Sequence, residues 1–191
     1  DGKYVAYTVG STNWLIRSKI YVIPVGGGTP RELAADSPWA AWPVFSADGR
    51  YVLFERADGP DYTKYHDWWV VPVSGGPSVK TGAYEILANQ LKIPLHNFGG
   101  VTPELLEGKA RFTAGGRIFE LDLAGPDWKA HGPARPLTSG STISTARSPH
   151  GSQIVYANTG FNSQLWRLKV KPNEGKAAGE MEPLPHSGGS E

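Results

Sequence analysis

Two short stretches of this sequence carry the side chains best suited to binding a partner or ligand. Trp39 and Trp42 come just before a predicted inner strand, and the polar segment 58–67 mixes carboxylates with tyrosine and histidine. Tyrosine offers rigid contact area with a hydrogen-bonding tip, which recognition loops favour. The candidate binding residues are therefore Trp39, Trp42, Asp61, Tyr62, Tyr65 and His66. Two plainer interpretations stay open, in which the tryptophans only pack inside the fold and the polar segment is only a solvated loop.

The sequence contains no pattern that predicts catalysis or metal binding. Its five histidines share no ligand spacing, there is no cysteine, and neither His-Glu-x-x-His nor Gly-x-Ser-x-Gly occurs. The triple glycine 26–28 lacks the Lys-Ser/Thr and helix of a phosphate-binding loop, so it predicts a hairpin turn. Asp-Gly pairs before apolar runs are likewise typical of turns. We therefore expect no catalytic residue, no metal site and no cofactor, and we predict that this chain is not an enzyme.

A turn followed by an apolar strand recurs along the chain. The phrase reads Ser-Ala-Asp-Gly-Arg-Tyr-Val-Leu-Phe over 46–54, Asp-Gly-Lys-Tyr-Val-Ala-Tyr over 1–7 and Ser-Pro-His-Gly-Ser-Gln-Ile-Val-Tyr over 148–156. A fainter copy covers 107–112, and the turn glycines lie 43 to 59 residues apart. Periods of this size are typical of stacked repeat arrays.

Further strand segments accompany each copy of the phrase. A second apolar strand follows at 20–25, 68–73, 118–123 and 165–170, and short closing segments come at 30–33, 134–138 and 182–184. Candidate strands also precede two of the turns, at 41–45 and 142–147. Four short strands per unit is the strand count of a propeller blade. We therefore predict an all-β fold, a β-propeller or partial propeller of about four four-stranded antiparallel blades.

The units divide the chain into approximate blades 1–34, 35–82, 83–140 and 141–191 within a single propeller region. The third unit differs from the others, because Ile86, Leu87 and Leu91 are spaced at helical intervals within 83–91. Trp68 and Trp69 are neighbours on a predicted strand, so their side chains should point to opposite faces and pack between blades.

Composition and charge exclude several classes of function. The net charge is +1 and no run of Lys or Arg interrupts the strands, so we expect no nucleic-acid binding by this region. No apolar stretch approaches 18 residues, so we expect no membrane span. The chain begins in mid-unit and reads as a fragment of a longer protein. Because an incomplete ring exposes the broad faces of its end blades, we also predict self-association.

The repeated phrase resembles that of TolB-type, WD40-like propeller repeats, which is Ser-Pro-Asp-Gly-Lys followed by an apolar strand. The resemblance covers most of the chain and is weakest in the third unit. The chain departs from it at Ala47, where the family has Pro, and at His150, where the family has Asp. Since an Asp side chain can bond backbone N–H groups of the turn, the turn at His150 should be weaker.

The segments 68–83 and 164–168 are also similar to propellers of large bacterial sensor proteins, which are joined to winged-helix or kinase domains. That resemblance implies a non-catalytic binding or sensing module in a periplasmic or other extracytoplasmic location, although a cytoplasmic one stays open. The partner would be a protein or a small-molecule ligand. The alternative is an accessory propeller of a serine hydrolase or peptidase whose catalytic domain lies elsewhere in the sequence of the parent protein.

Overall fold

The computed structural model describes residues 2–10, 17–58, 66–92, 103–106, 108–124, 127–138, 142–147, 154–158, 166–167 and 182–183. These residues form antiparallel sheets and one helix. The chain divides into two units, Asp1–Asn158 and Thr159–Glu191.

Three sheets make up most of the first unit. The first sheet has the order β1 (Tyr4–Gly10), β2 (Ser18–Pro24), β3 (Arg31–Leu33). The second sheet has the order β4 (Trp39–Phe45), β5 (Tyr51–Ala57), β6 (His66–Pro72), β7 (Val79–Lys80). The third sheet contains β8 (Glu104–Leu106), β9 (Lys109–Ala114), β10 (Arg117–Ala124) and β11 (Lys129–Pro136), again paired in chain order.

The remaining strands form two pairs. In the first unit, β12 (Thr142–Arg147) pairs with β13 (Ile154–Asn158). In the second unit, β14 (Trp166–Arg167) pairs with β15 (Glu182–Pro183). The sequence had predicted strands in all four of these segments. His150, and with it the predicted weak turn, lies outside the described residues.

The repeated phrase forms the turn between β4 and β5. Asp48 accepts hydrogen bonds from the Ser46 hydroxyl at 2.6 Å and from the backbone N–H of Arg50 at 3.0 Å, and the Arg50 guanidinium lies 2.6 Å away. These bonds, the Ser46 hydroxyl first among them, hold the pKa of the Asp48 carboxyl at about 2. Asp48 therefore serves the turn, as the Asp-Gly pattern predicted.

Two apolar clusters join neighbouring sheets. One combines Leu53, Trp68 and Val70 of the second sheet with Phe112 and other residues of the third. Another combines first-sheet residues with second-sheet residues, and Trp69 packs against it. Trp68 and Trp69 thus point to opposite faces and pack between sheets, which confirms the prediction made from their adjacency.

Helix α1 (Ala83–Leu91) follows the second sheet, in the segment whose spacing predicted it. The Gln90 side-chain amide donates to the Ala134 carbonyl at 2.6 Å and accepts from its N–H at 2.7 Å. This reciprocal pair fixes the helix against β11. Ala83, Tyr84 and Leu87 are its buried residues, and they lie in the cluster between the second and third sheets.

The face of the third sheet that points away from the apolar cluster carries a row of alternating charges. Register places Glu104 opposite Arg111, Arg111 opposite Glu120, and Glu120 opposite Arg135. The Arg111 guanidinium lies 2.7 Å from the Glu120 carboxylate. Burial opposes ionisation of Glu120, but hydrogen bonds from Arg111 and Lys109 outweigh it and lower the pKa of that carboxyl. This face therefore uses ion pairs where the opposite face uses aromatic and aliphatic packing.

Candidate binding site

Three of the six predicted binding residues come together at one end of the second sheet. Trp39 begins β4 and is paired with Ala57 at the end of β5, and Ala57 is paired with His66 at the start of β6. The ring centroids of Trp39 and Trp42 are 5.3 Å apart, and those of Trp39 and His66 are 5.7 Å apart. We call Trp39, Trp42 and His66 the aromatic cluster, and this end of the sheet the site end.

The other three predicted residues, Asp61, Tyr62 and Tyr65, lie outside the described residues. They belong to the connection between Asp58 and His66. Both described ends of that connection are at the site end, so their assignment to the same site stays a prediction.

Trp42 has an unusual backbone conformation. Its φ is 52°, in the left-handed region, which bulky residues seldom adopt. The residue before a proline is normally extended, and Pro43 follows Trp42 directly. The register between β4 and β5 shifts between Ala41 and Val44, so Trp42 stands at a β-bulge. Bulges turn a side chain away from the regular alternation of a strand.

A contact from the first sheet supports this conformation. The backbone N–H of Trp42 donates to the Thr8 hydroxyl of β1 at 3.2 Å. The Trp42 side chain is half-buried, whereas Trp39 is fully buried. The Trp39 ring therefore packs against Trp42 from the buried side, and Trp42 is the tryptophan of the cluster with exposed surface.

A buried polar group lies next to the aromatic cluster. His66 Nδ1 is 2.5 Å from Glu55 Oε1, and the side chains of both residues are at most 2% exposed. The Tyr84 hydroxyl also bonds to the Glu55 carboxylate, and the Tyr84 ring stacks on His66 with centroids 6.5 Å apart. Burial, with the negative charge of Glu55 next, raises the pKa of the Tyr84 hydroxyl well above its usual range. Tyr84 therefore remains a neutral donor, and the group ties β5, β6 and α1 together.

Asp67 anchors the helix to the same strand. Its carboxylate accepts from the Thr81 hydroxyl at 3.2 Å and from the N–H of Tyr84, in the first turn of α1, at 3.4 Å. The N-cap residue Gly82 makes no side-chain bond, so this strand residue supplies the capping acceptor. Burial raises the pKa of Asp67 although Lys80 and these hydrogen bonds oppose the shift.

Two details differ from what the sequence predicted. His66 and Asp67 were assigned to the polar loop, but both belong to β6 and are buried, because their register with Ala57 and Arg56 extends the sheet to His66. The sequence spacing also gave no sign that a histidine lies beside a carboxylate. Cross-strand register nevertheless brings His66 beside Glu55, eleven positions earlier in the chain.

Glu55 and Tyr84 were missed altogether. Hairpin pairing of β5 with β6 is the signal that could have found Glu55, since Glu55 lies on the same face as Ala57. Tyr84 could be found only from the packing of α1. Within the described ranges, no group of three or more His, Asp or Glu residues could hold a metal ion. The helix in the described part of the chain is nine residues long, too short to cross a bilayer.

Comparison with known proteins identifies the fold. No protein-family model and no curated protein matches the chain. Among solved structures, the chain is similar to a TolB-like protein from Agrobacterium tumefaciens, with a TM-score of 0.50 and 16% identity. That match covers 93% of this chain and 60% of the other. The chain is also similar to the β-propeller domain of the Trilobed protease from Pyrococcus furiosus (TM-score 0.49, 15% identity, 96% of this chain and 54% of that one).

This chain thus spans 60% or less of the length of the structures it resembles. Its antiparallel sheets of three and four strands, each packed on the next, agree with the likeness to the TolB-like protein. The chain has an all-β fold with one short helix in its described part, and that fold is a partial propeller of the TolB type.

Proposed function

We propose that this chain is a non-catalytic binding or sensing module that recognises a protein or small ligand within a larger bacterial protein. The recognition surface would be the site end of the second sheet, with Trp42 at its centre and residues 58–65 beside it. The single observation that carries the proposal is the backbone of Trp42, a bulky residue in the left-handed region at a bulge.

Strain of this kind costs on the order of 1–3 kcal/mol and persists where the surroundings hold it in place. Glycine would remove it at this position. Trp128 has a similar φ of 53°, but its ring packs on Tyr51 beside the core. At Trp42 the residue stands at a bulge at the site end, so we attribute the tryptophan there to binding, since tryptophan is enriched among the residues that dominate binding energy.

The polar residues near Trp42 support binding rather than catalysis. Glu55 bonds to both His66 and Tyr84, and Asp67 bonds to backbone N–H groups and to Thr81. All four side chains are buried at 3% exposure or less. These groups use their hydrogen bonds to hold together the strands and helix that support the aromatic cluster. A rigid binding surface requires such support.

The location and the parent protein are also part of the proposal. The resemblance of segments 68–83 and 164–168 to sensor propellers supports an extracytoplasmic module joined to a signalling domain. Loops at the ends of propeller strands would contact the partner, because the strands themselves are occupied by packing.

Peptides selected by phage display on the intact chain would test the binding surface. Their affinity would be measured by fluorescence anisotropy for the unchanged chain, for Trp42→Ala and for Trp128→Ala. Trp128 is a matched control, because it is also half-buried and also has a positive φ, 53°. We expect Trp42→Ala to weaken binding about tenfold or more and Trp128→Ala to leave it within about twofold. Equal affinity for the two variants, or a selection that enriches no peptide, would contradict the proposal.

A further inference from the structure

The bulge in β4 is held by a side chain from the neighbouring sheet. The register with β5 shifts between Ala41 and Val44, so Trp42 and Pro43 fall between the paired positions. Pro43 has no N–H to donate. The Trp42 N–H donates to the hydroxyl of Thr8, a residue of β1 in the first sheet, at 3.2 Å. The backbone of the candidate contact residue therefore depends on a different sheet.

The position of Thr8 is itself fixed by the core between the first two sheets. Thr8 is paired with Ile20 of β2, and Ile20 is fully buried in the apolar cluster that joins these sheets. Ala6 lies two positions before Thr8, thus on the same face of β1, and packs against that cluster. Threonine is β-branched, so its side chain has few rotamers in which to place the hydroxyl. β1 therefore presents this acceptor to β4 at a fixed place.

The Thr8 hydroxyl opposes the ordinary preference of the Trp42 backbone. A residue before proline is normally extended, and a bulky side chain makes the left-handed region less favourable still. The acceptor at Thr8 stabilises the backbone that points the Trp42 N–H toward β1, which is the left-handed one observed. Without that acceptor the N–H would need another partner, and the extended backbone would be favoured. The Trp42 ring would then point elsewhere.

We propose that Thr8 is a positioning residue for the binding surface, because its hydroxyl keeps the Trp42 ring in the orientation that meets the partner. Every member of the aromatic cluster belongs to the second sheet, but the first sheet then sets part of the affinity at the site end. This inference rests on the proposed function, in which Trp42 is the contact residue.

Two substitutions at Thr8 separate the hydroxyl from the shape of the side chain. Thr8→Val removes the acceptor and keeps the branched shape, whereas Thr8→Ser keeps the acceptor. Thr113→Val is the matched control, because Thr113 is also a half-buried threonine within a strand, β9 of the third sheet. If Thr8 acts as an acceptor, serine should be tolerated and valine should not. If Thr8 only packs, valine should be tolerated.

Hydrogen exchange of the Trp42 N–H tests the placement in the chain without a partner. The exchange rate would be followed by NMR in the unchanged chain and in the three variants. We expect Thr8→Val to speed this exchange about fivefold or more, and Thr8→Ser and Thr113→Val to leave it within about twofold. Unchanged exchange in Thr8→Val would overturn the inference, whatever the chain binds.

The affinity for the selected peptides tests the consequence for binding. Measured by fluorescence anisotropy, Thr8→Val should weaken binding about fivefold or more, and Thr8→Ser should retain it within about twofold. Weakened binding in Trp42→Ala with unchanged binding in Thr8→Val would overturn this inference and leave the proposed function standing, and so would equal losses in the two Thr8 variants. Unchanged binding in Trp42→Ala would instead contradict the proposed function, and this inference with it.

Discussion

The two ends of the second sheet are held together in different ways. At the turn end, residues 46–50 satisfy their polar groups locally, with Asp48 bonded to neighbours two residues away. At the site end, Trp39, Glu55, His66 and Tyr84 come from four different elements and are held by register and packing. The turn end repeats along the sequence and the site end does not. The repeated phrase thus encodes the fold, and the residues that differ between repeats form the candidate site.

Removing Glu55 should have the largest effect, because it leaves two buried donors without their acceptor. We expect Glu55→Ala to lower the free energy of unfolding by about 3 kcal/mol. Glu55→Gln keeps one carbonyl acceptor and should cost less. Urea unfolding followed by tryptophan fluorescence measures both. If Glu55→Ala unfolds at the same urea concentration as the unchanged chain, the site end is not held by this group.

At position 42 glycine should be more stable than alanine, which is the reverse of the order at an ordinary strand position. At a φ of 52°, Trp42→Gly should be more stable than Trp42→Ala by about 1 kcal/mol. At Val44, a regular position of β4, glycine should instead be less stable than alanine. Calorimetric melting temperatures of the four variants give the comparison. Alanine more stable than glycine at position 42 would contradict the left-handed backbone.

Acid should lower the stability that the turn end contributes, because the Asp48 carboxylate is protonated at low pH. Asp48 has a folded pKa of about 2, below its ordinary value of 3.8, so its contribution is present above about pH 4 and is lost as pH falls toward 2. Its side chain is 43% exposed, so screening should limit the gain to about 1 kcal/mol or less. Asp48→Asn should therefore be less stable than the unchanged chain at pH 6 and equally stable near pH 2. A difference that persists at pH 2 would point to a cause other than the charge.

The smallest change in stability should come from the ionisation of Asp67. Its pH dependence should be opposite to that of Asp48. Burial raises its folded pKa, so between 3.8 and that pKa the folded chain binds more protons than the unfolded one. Stability contributed by this residue therefore falls as pH rises through the window. Relative to Asp67→Asn, the unchanged chain should lose stability on going from pH 4 upward. Chemical unfolding at several pH values measures the two slopes, and parallel slopes would argue against a raised pKa.

Sequence reasoning predicted the fold well because the necessary signals are local. An Asp-Gly turn and an alternating apolar strand each extend over fewer than ten residues, and their recurrence every 43 to 59 residues identifies the repeat. The site was predicted only in part. Trp39 and Trp42 were found from their place just before a predicted strand, but His66 was assigned to a loop. Glu55 was missed because its eleven-residue spacing from His66 becomes meaningful only once the register of β5 and β6 is known.

Fluorine NMR tests directly whether Trp42 contacts a partner, because the chemical shift of its labelled ring would change on binding. The chain would be labelled with 5-fluorotryptophan at its seven tryptophans, with the Trp42 and Trp128 signals assigned from the Trp42→Phe and Trp128→Phe variants. On titration with a selected peptide, we expect the Trp42 signal to shift and the Trp128 signal to stay fixed. A Trp42 signal that stays fixed while other tryptophan signals move would contradict that expectation.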